Sequence, residues 1–203
     1  NSRFLPSQTS LIPIAKYLDT KGVDSLDRLE DSDVKNIVNW FVLTSFNGYY
    51  SSQTDTKLDK DLEIIESAYF PWEKLINNMQ DKKARIKITL EDIKRGLNLN
   101  VLRLQGRAHL FMLYILLVRS QADDWNGMLL GQRNFTDLAR HHIFPREFLE
   151  QNLELEEPDA KEVLINNLAN ITFIHKDINS EIEDHSPEEY MEDYIDSARK
   201  HFI

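Results

Sequence analysis

The sequence predicts a mainly helical fold of the α+β class, a helical bundle followed by a small antiparallel pair of strands. Three observations predict it. Apolar residues recur at helical spacing through most of the first 122 positions. Pro and Gly number only 6 each among 203 residues, too few for long linkers between those segments. After Gly131 the texture changes, and Asn170-Ile171-Thr172-Phe173-Ile174-His175 is short, β-branched and alternating, as a strand is.

Taken in order, residues 11–18 read as a short helix that ends near Gly22. The next runs over residues 31–46, with Ser32 as its cap, Gly48 as its stop, and Val34, Ile37, Val38, Phe41, Val42 and Ser45 on one buried face. Helical patterns follow over residues 57–69, 72–79 and 89–95, the last capped by Thr89, and a long apolar helix covers 105–122. Residues 135–143 are too irregular for a helix, and the segment around 138–142 is expected to pair with the strand at 170–175. Between those strands lie short helices at 146–151 and 158–166. Near the C-terminus, Ser186-Pro187-Glu188-Glu189 combines a capping box with Pro at the first helical position, and Tyr190, Tyr194, Ile195 and Ala198 form an apolar stripe.

The composition is that of a globular protein, with 41% hydrophobic residues and a formal net charge of −10. Cysteine is absent, which excludes disulfide scaffolds, thiolate metal sites and thiol catalysis, and fits a reducing, cytoplasmic compartment. No apolar run reaches the roughly 18 residues of a membrane span. The chain opens on Asn1 rather than Met, so an upstream part is expected.

Charge is unevenly placed: residues 1–79 carry 8 basic and 12 acidic groups, residues 80–146 carry 12 and 6, and residues 147–203 carry 4 and 16. The central belt of Lys82, Lys83, Arg85, Lys87, Lys94, Arg95, Arg103 and Arg107 either faces phosphates or forms solvated helix faces.

Candidate chemistry concentrates downstream of that belt. His141 and His142 are adjacent, so on extended backbone they point to opposite sides and serve different tasks. Asn170 opens the predicted strand and Asn179 follows nine residues later, each able to offer a neutral oxygen to a hard cation or to fix a loop. No HExxH helix, GxGxxG or Walker loop, or GxSxG elbow is present. His109 reads as a packed or capping residue, and His185 and His201 as solvent-exposed ones.

The string His141-His142-Ile143-Phe144-Pro145-Arg146-Glu147-Phe148-Leu149, then Asn167-Leu168-Ala169-Asn170-Ile171-Thr172-Phe173-Ile174, then Asp177-Ile178-Asn179-Ser180, resembles the HNH (ββα-metal) nuclease motif. It is similar in particular to the C-terminal HNH domain of GmrSD-type bacterial restriction proteins, and also to the HNH domain of CRISPR RNA-guided nucleases. The resemblance implies a helical region over residues 1–127 and an HNH domain over 128–203, built as two strands and a helix around one divalent ion. It implies His142 as the general base, Asn170 as the residue that holds the loop and orients that base, and His141 and Asn179 as metal ligands. Glu183, one helical turn after Asn179, stands where some relatives place a further ligand. DNA is the implied partner, together with an N-terminal nucleotide-handling domain of the same protein, whose Asp-Gly-Gln-x-Arg motif is not in this sequence.

An imidazole suits proton abstraction from water near neutral pH. A single Mg²⁺ suits a two-ligand protein shell, and Mn²⁺, Co²⁺ or Ni²⁺ suit the histidine better. The acidic segment 149–166, with six carboxylates against one Lys, departs from compact members of the family. Arg140, Arg146 and Lys176 flank the motif as phosphate contacts or as surface residues. Two functions are therefore expected: a metal-dependent DNA endonuclease, or a helical interaction or DNA-binding scaffold with an inactive HNH site.

Overall fold

The computed structural model describes residues 5–67, 69–183 and 185–202, the side chains of Gln105 and of residues beyond Tyr194 excepted. The described part is mainly helical with one two-stranded antiparallel sheet. The chain divides into two compact units, one ending at Leu90 and one beginning at Glu91.

The first unit holds α1 (Leu11–Lys21), α2 (Asp31–Phe46), α3 (Thr54–Ile64) and α4 (Trp72–Asp81). α1 closes as expected on Gly22, whose left-handed backbone (φ +65°) lets its N–H reach the carbonyls of Asp19 and Leu18. Tyr17, Ile37, Trp40, Leu43, Tyr49, Tyr50, Phe70 and Leu75 belong to its buried core.

α2 has the expected bounds but a different buried face, running through Asp33, Ile37, Trp40, Leu43, Thr44 and Ser45. Val34, Val38, Phe41 and Val42 are only half-buried, and Glu30 rather than Ser32 occupies the cap position. The rotation follows from Asp33, whose carboxylate is buried because it accepts hydrogen bonds from the Tyr17 hydroxyl (2.5 Å) and the Phe70 N–H (2.9 Å). The helix expected over 57–69 begins three residues earlier and ends at Ile64, so that Phe70 is free to reach Asp33.

The second unit contains most of α5 (Leu90–Lys94), then α6 (Arg107–Arg119), β1 (Leu138–His142), α7 (Arg146–Asn152), α8 (Pro158–Ile165), β2 (Ile171–His175), α9 (Lys176–Ile182) and α10 (Pro187–Phe202). β1 and β2 are antiparallel, with Leu138 opposite His175, Arg140 opposite Phe173, and His142 opposite Ile171. The strand pair lies where the sequence placed it, and α7 and α8 separate its strands as expected.

The units divide at residues 90/91, whereas the sequence resemblance implied 127/128. Residues 91–127 are tied to the sheet by packing and backbone bonds. Tyr114 on α6 meets Phe173 on β2 edge-on at 5.3 Å. The Val101 N–H donates to the Asn166 carbonyl (2.8 Å), and the Leu168 N–H to the Gly96 carbonyl (3.0 Å). A Cβ at Gly96 would lie 2.9 Å from a Leu168 methyl, so glycine is what lets these segments approach.

At α10 one half of the capping box forms, the Ser186 N–H donating to Glu189 Oε2 (2.7 Å) while the Glu189 N–H reaches the Ser186 carbonyl (3.0 Å), and Tyr190 is buried. The side chains of Ile195, Ala198 and His201 lie outside the described residues. Among the described residues no helix is long and apolar enough to cross a membrane.

Candidate functional site

β1 delivers the two histidines to different neighbours, as alternation along a strand requires. His141 is buried (3% exposed), and its Nδ1 lies 3.1 Å from Asn179 Oδ1 on α9. α9 starts directly after β2, capped by His175, whose Nδ1 accepts from the Asp177 N–H (3.3 Å). That cap fixes the helix so that its second turn brings Asn179 beside β1.

Aromatic rings wall the His141 imidazole. Trp125 meets it edge-on at 5.2 Å and Tyr190 at 5.8 Å, while Trp125 stacks on Tyr190 and Tyr194 at 6.2 and 6.1 Å. Trp125 sits at φ +66°, a conformation that a bulky residue adopts only when its surroundings enforce it. Here the enforcement is Asp124, fully buried, whose carboxylate accepts from the backbone N–H groups of Asn126 (2.9 Å) and Met128 (3.1 Å) and from Arg133 Nε (2.5 Å). Tyr190 is held in turn by its hydroxyl, which donates to the Ile143 carbonyl.

His142, half-buried, turns toward the end of α8. Its Nε2 lies 2.9 Å from Asn166 Oδ1. The Asn166 amide nitrogen donates to the Glu162 carbonyl (3.0 Å) and to Glu162 Oε2 (2.9 Å), so the oxygen of that amide must be the end facing the ring. An oxygen accepts, hence Nε2 carries the proton and Nδ1 keeps its lone pair. Burial pushes the imidazole pKa below its ordinary value; the Asn166 hydrogen bond opposes this, and the nearby Arg146 and Arg140 charges add to it.

Asn170 bonds the backbone of the loop after β1 through its side-chain amide. Its Oδ1 accepts from the Phe144 N–H (2.7 Å), and its Nδ2 donates to the carbonyls of Phe144 (3.0 Å) and Ile165 (2.8 Å). It therefore clamps the loop after β1 to the end of α8. The hydrogen bond to His142 itself comes from Asn166, which no motif in the sequence singles out. Its signal is faint: two successive asparagines, Asn166 and Asn167, close a helix and are both buried.

Glu183 is exposed at the end of α9, where φ of +49° takes the chain out of the helix. His109 lies outside the site, its Nε2 2.8 Å from the Asp92 carbonyl, and His185 is exposed with Nδ1 2.8 Å from the Ile182 carbonyl. Two of the flanking cations are engaged by acids: Lys176 by Asp137 (3.2 Å), and Arg146 by Glu150 (2.9 Å) and Glu162 (2.5 Å). Arg140 is exposed.

The donor pair fits a small divalent ion. Adjacent ligands of an octahedral Mg²⁺, each about 2.1 Å from the ion, lie about 3 Å apart, and Nδ1 of His141 and Oδ1 of Asn179 are separated by 3.1 Å. No protein-family model and no curated protein matches the sequence.

Proposed function

We propose that the chain is a metal-dependent DNA endonuclease module that hydrolyses phosphodiester bonds, within a cytoplasmic bacterial restriction or anti-phage defence protein. The observation that carries this reading is the convergence of His141 and Asn179, 38 residues apart, beside a His142 whose partner leaves Nδ1 able to accept a proton.

In this reading His141 and Asn179 hold Mg²⁺, with Mn²⁺, Co²⁺ or Ni²⁺ able to replace it at the imidazole. When bound, the ion supplies positive charge against the negative charge that gathers on the phosphate oxygens. His142 takes a proton at Nδ1 from the attacking water, and its lowered pKa keeps the ring neutral and competent at physiological pH. Asn170 keeps the loop after β1 in place, and with it the end of the strand that carries His142.

DNA is the proposed substrate. Lys82, Lys83, Arg85 and Lys87 are exposed along a segment without regular structure, and Lys94 and Arg103 are exposed in the second unit beside Arg95, which pairs with Asp92, so both units offer cations to phosphate. A nucleotide-handling domain of the same protein is the proposed partner.

The test is nicking of supercoiled plasmid with Mg²⁺ or Mn²⁺ and with chelator, by the parent protein and by His142→Ala. Cleavage that needs the metal and His142 supports the reading. Metal-independent cleavage, or cleavage undiminished in His142→Ala, overturns it. DNA binding without any cleavage selects the alternative of a scaffold with an inactive site.

A further inference from the structure

We propose that Asn166 is the positioning residue for His142 and that the Glu162–Arg146 pair holds Asn166 in the one orientation that leaves Nδ1 unprotonated. The role of the Nδ1 lone pair in cleavage rests on the endonuclease reading; the orientation itself does not.

Three links build the chain. The first is the bond between His142 Nε2 and Asn166 Oδ1 at 2.9 Å. The second is the pair of bonds from Asn166 Nδ2 to the carbonyl and the carboxylate of the same residue, Glu162, at 3.0 and 2.9 Å. The third is the two-pronged contact of Arg146 with that carboxylate, Nη1 to Oε1 at 2.5 Å and Nη2 to Oε2 at 3.2 Å. Asn166 is 1% exposed, so water offers little substitute for any of these partners.

The polarity of the chain runs one way only. A flipped Asn166 amide would set its oxygen against two oxygens of Glu162 and its NH₂ against the ring, losing two hydrogen bonds at a buried site. Arg146 in turn fixes the carboxylate rotamer through a paired, charge-assisted contact. Two elements supply the three members: Arg146 is the first residue of α7, while Glu162 lies on α8 and Asn166 caps it. The acidic segment between the two halves of the motif thus has a use, since it supplies the carboxylate that orients the asparagine.

The arrangement can be read without cleavage. At mildly alkaline pH, where a neutral ring is the main form, nitrogen-15 chemical shifts of His142 report which ring nitrogen carries the proton. The parent protein is expected to hold the Nε2–H form. Asn166→Ala is expected to admit the minor Nδ1–H form seen in free histidine, and Asn166→Asp, which keeps the acceptor, to exclude it. Glu162→Ala, at a half-exposed position, is expected to admit it in part, because the Glu162 carbonyl still receives the Asn166 amide.

A purely structural role predicts the opposite order, since Asn166→Asp sets a second carboxylate against Glu162 and harms packing more than Asn166→Ala does. A parent ring protonated at Nδ1, or an Nε2–H form undisturbed in both Asn166→Ala and Glu162→Ala, overturns the proposal. Should an Asn166 variant fail to fold, Glu162→Ala decides by the same measurement. Nicking then reads the consequence: kcat of Asn166→Ala falls on the order of 10²-fold with KM unchanged. A parent protein that locks the tautomer and never cleaves DNA would refute the endonuclease reading while leaving the positioning role of Asn166 intact.

Discussion

His141 Nδ1 and Asn179 Oδ1, separated by 38 residues of sequence, meet at 3.1 Å where β1 passes α9. The His141 ring also packs edge-on against Trp125 and Tyr190. Under the endonuclease reading, His141→Ala and Asn179→Ala are therefore expected to lose calorimetrically measured Mn²⁺ binding together with nicking. His142→Ala is expected to keep metal binding while cleavage falls by about 10²–10⁴-fold, the usual cost of removing a general base. Lost metal binding in His142→Ala would exchange the roles of the two histidines.

The wall has its own test. Trp125 is 3% exposed and touches His141, Tyr190 and Tyr194. Trp125→Ala is expected to cost about 3–5 kcal/mol of stability by chemical denaturation, the range for removing a large buried ring. Because the rings of His141 and Tyr190 then lose a common neighbour, metal affinity should drop in the same variant. A stability loss near zero would mean that the surrounding rings collapse into the space.

Much of this architecture is legible in the sequence because it is local. The β-branched run Ile171–His175 marks one strand, the irregular pattern around Leu138–His142 leaves room for its partner, and Ser186-Pro187-Glu188-Glu189 sets the start of α10. What escapes is whatever depends on two distant segments meeting. Asp33 looks like a first-turn acid suited to solvent, yet it is buried because Tyr17 and Phe70 arrive to donate to it. Asn166 looks like an ordinary helix end, and its importance appears only when α8 is laid against the end of β1. Trp125 reads as a loop residue until the turn around Asp124 delivers it to His141.

That turn makes a third prediction. Arg133 Nε lies 2.5 Å from the fully buried carboxylate of Asp124, with the Arg133 side chain itself 17% exposed. Arg133→Met leaves a buried negative charge with backbone donors but no cation. It is expected to destabilise by about 3–5 kcal/mol, the cost of breaking a buried pair from one side. Asp124→Asn combined with Arg133→Met should recover part of that loss, and a double-mutant cycle measures how much.

In the first unit, Asp61 gives stability an identifiable pH dependence. It is fully buried, accepting from the Tyr50 hydroxyl (2.7 Å) and from Asn78 Nδ2 (2.8 Å). Burial raises its carboxyl pKa above the usual value, against the opposing hydrogen bonds of Tyr50, Asn78 and Tyr49 and the charge of Lys57. Below the unfolded-state pKa both states are protonated and the contribution of this group is fully present. As pH rises, the unfolded chain releases the proton first, and the contribution is lost until the folded-state pKa is passed. Asp61→Asn removes the titration while keeping the shape. The stability of the parent protein minus that of Asp61→Asn is therefore expected to shrink as pH rises above the ordinary carboxyl pKa of about 4, as measured by urea unfolding. A difference that grows with pH would mean that the tyrosine hydroxyls, Asn78 and Lys57 together favour the carboxylate more than burial disfavours it.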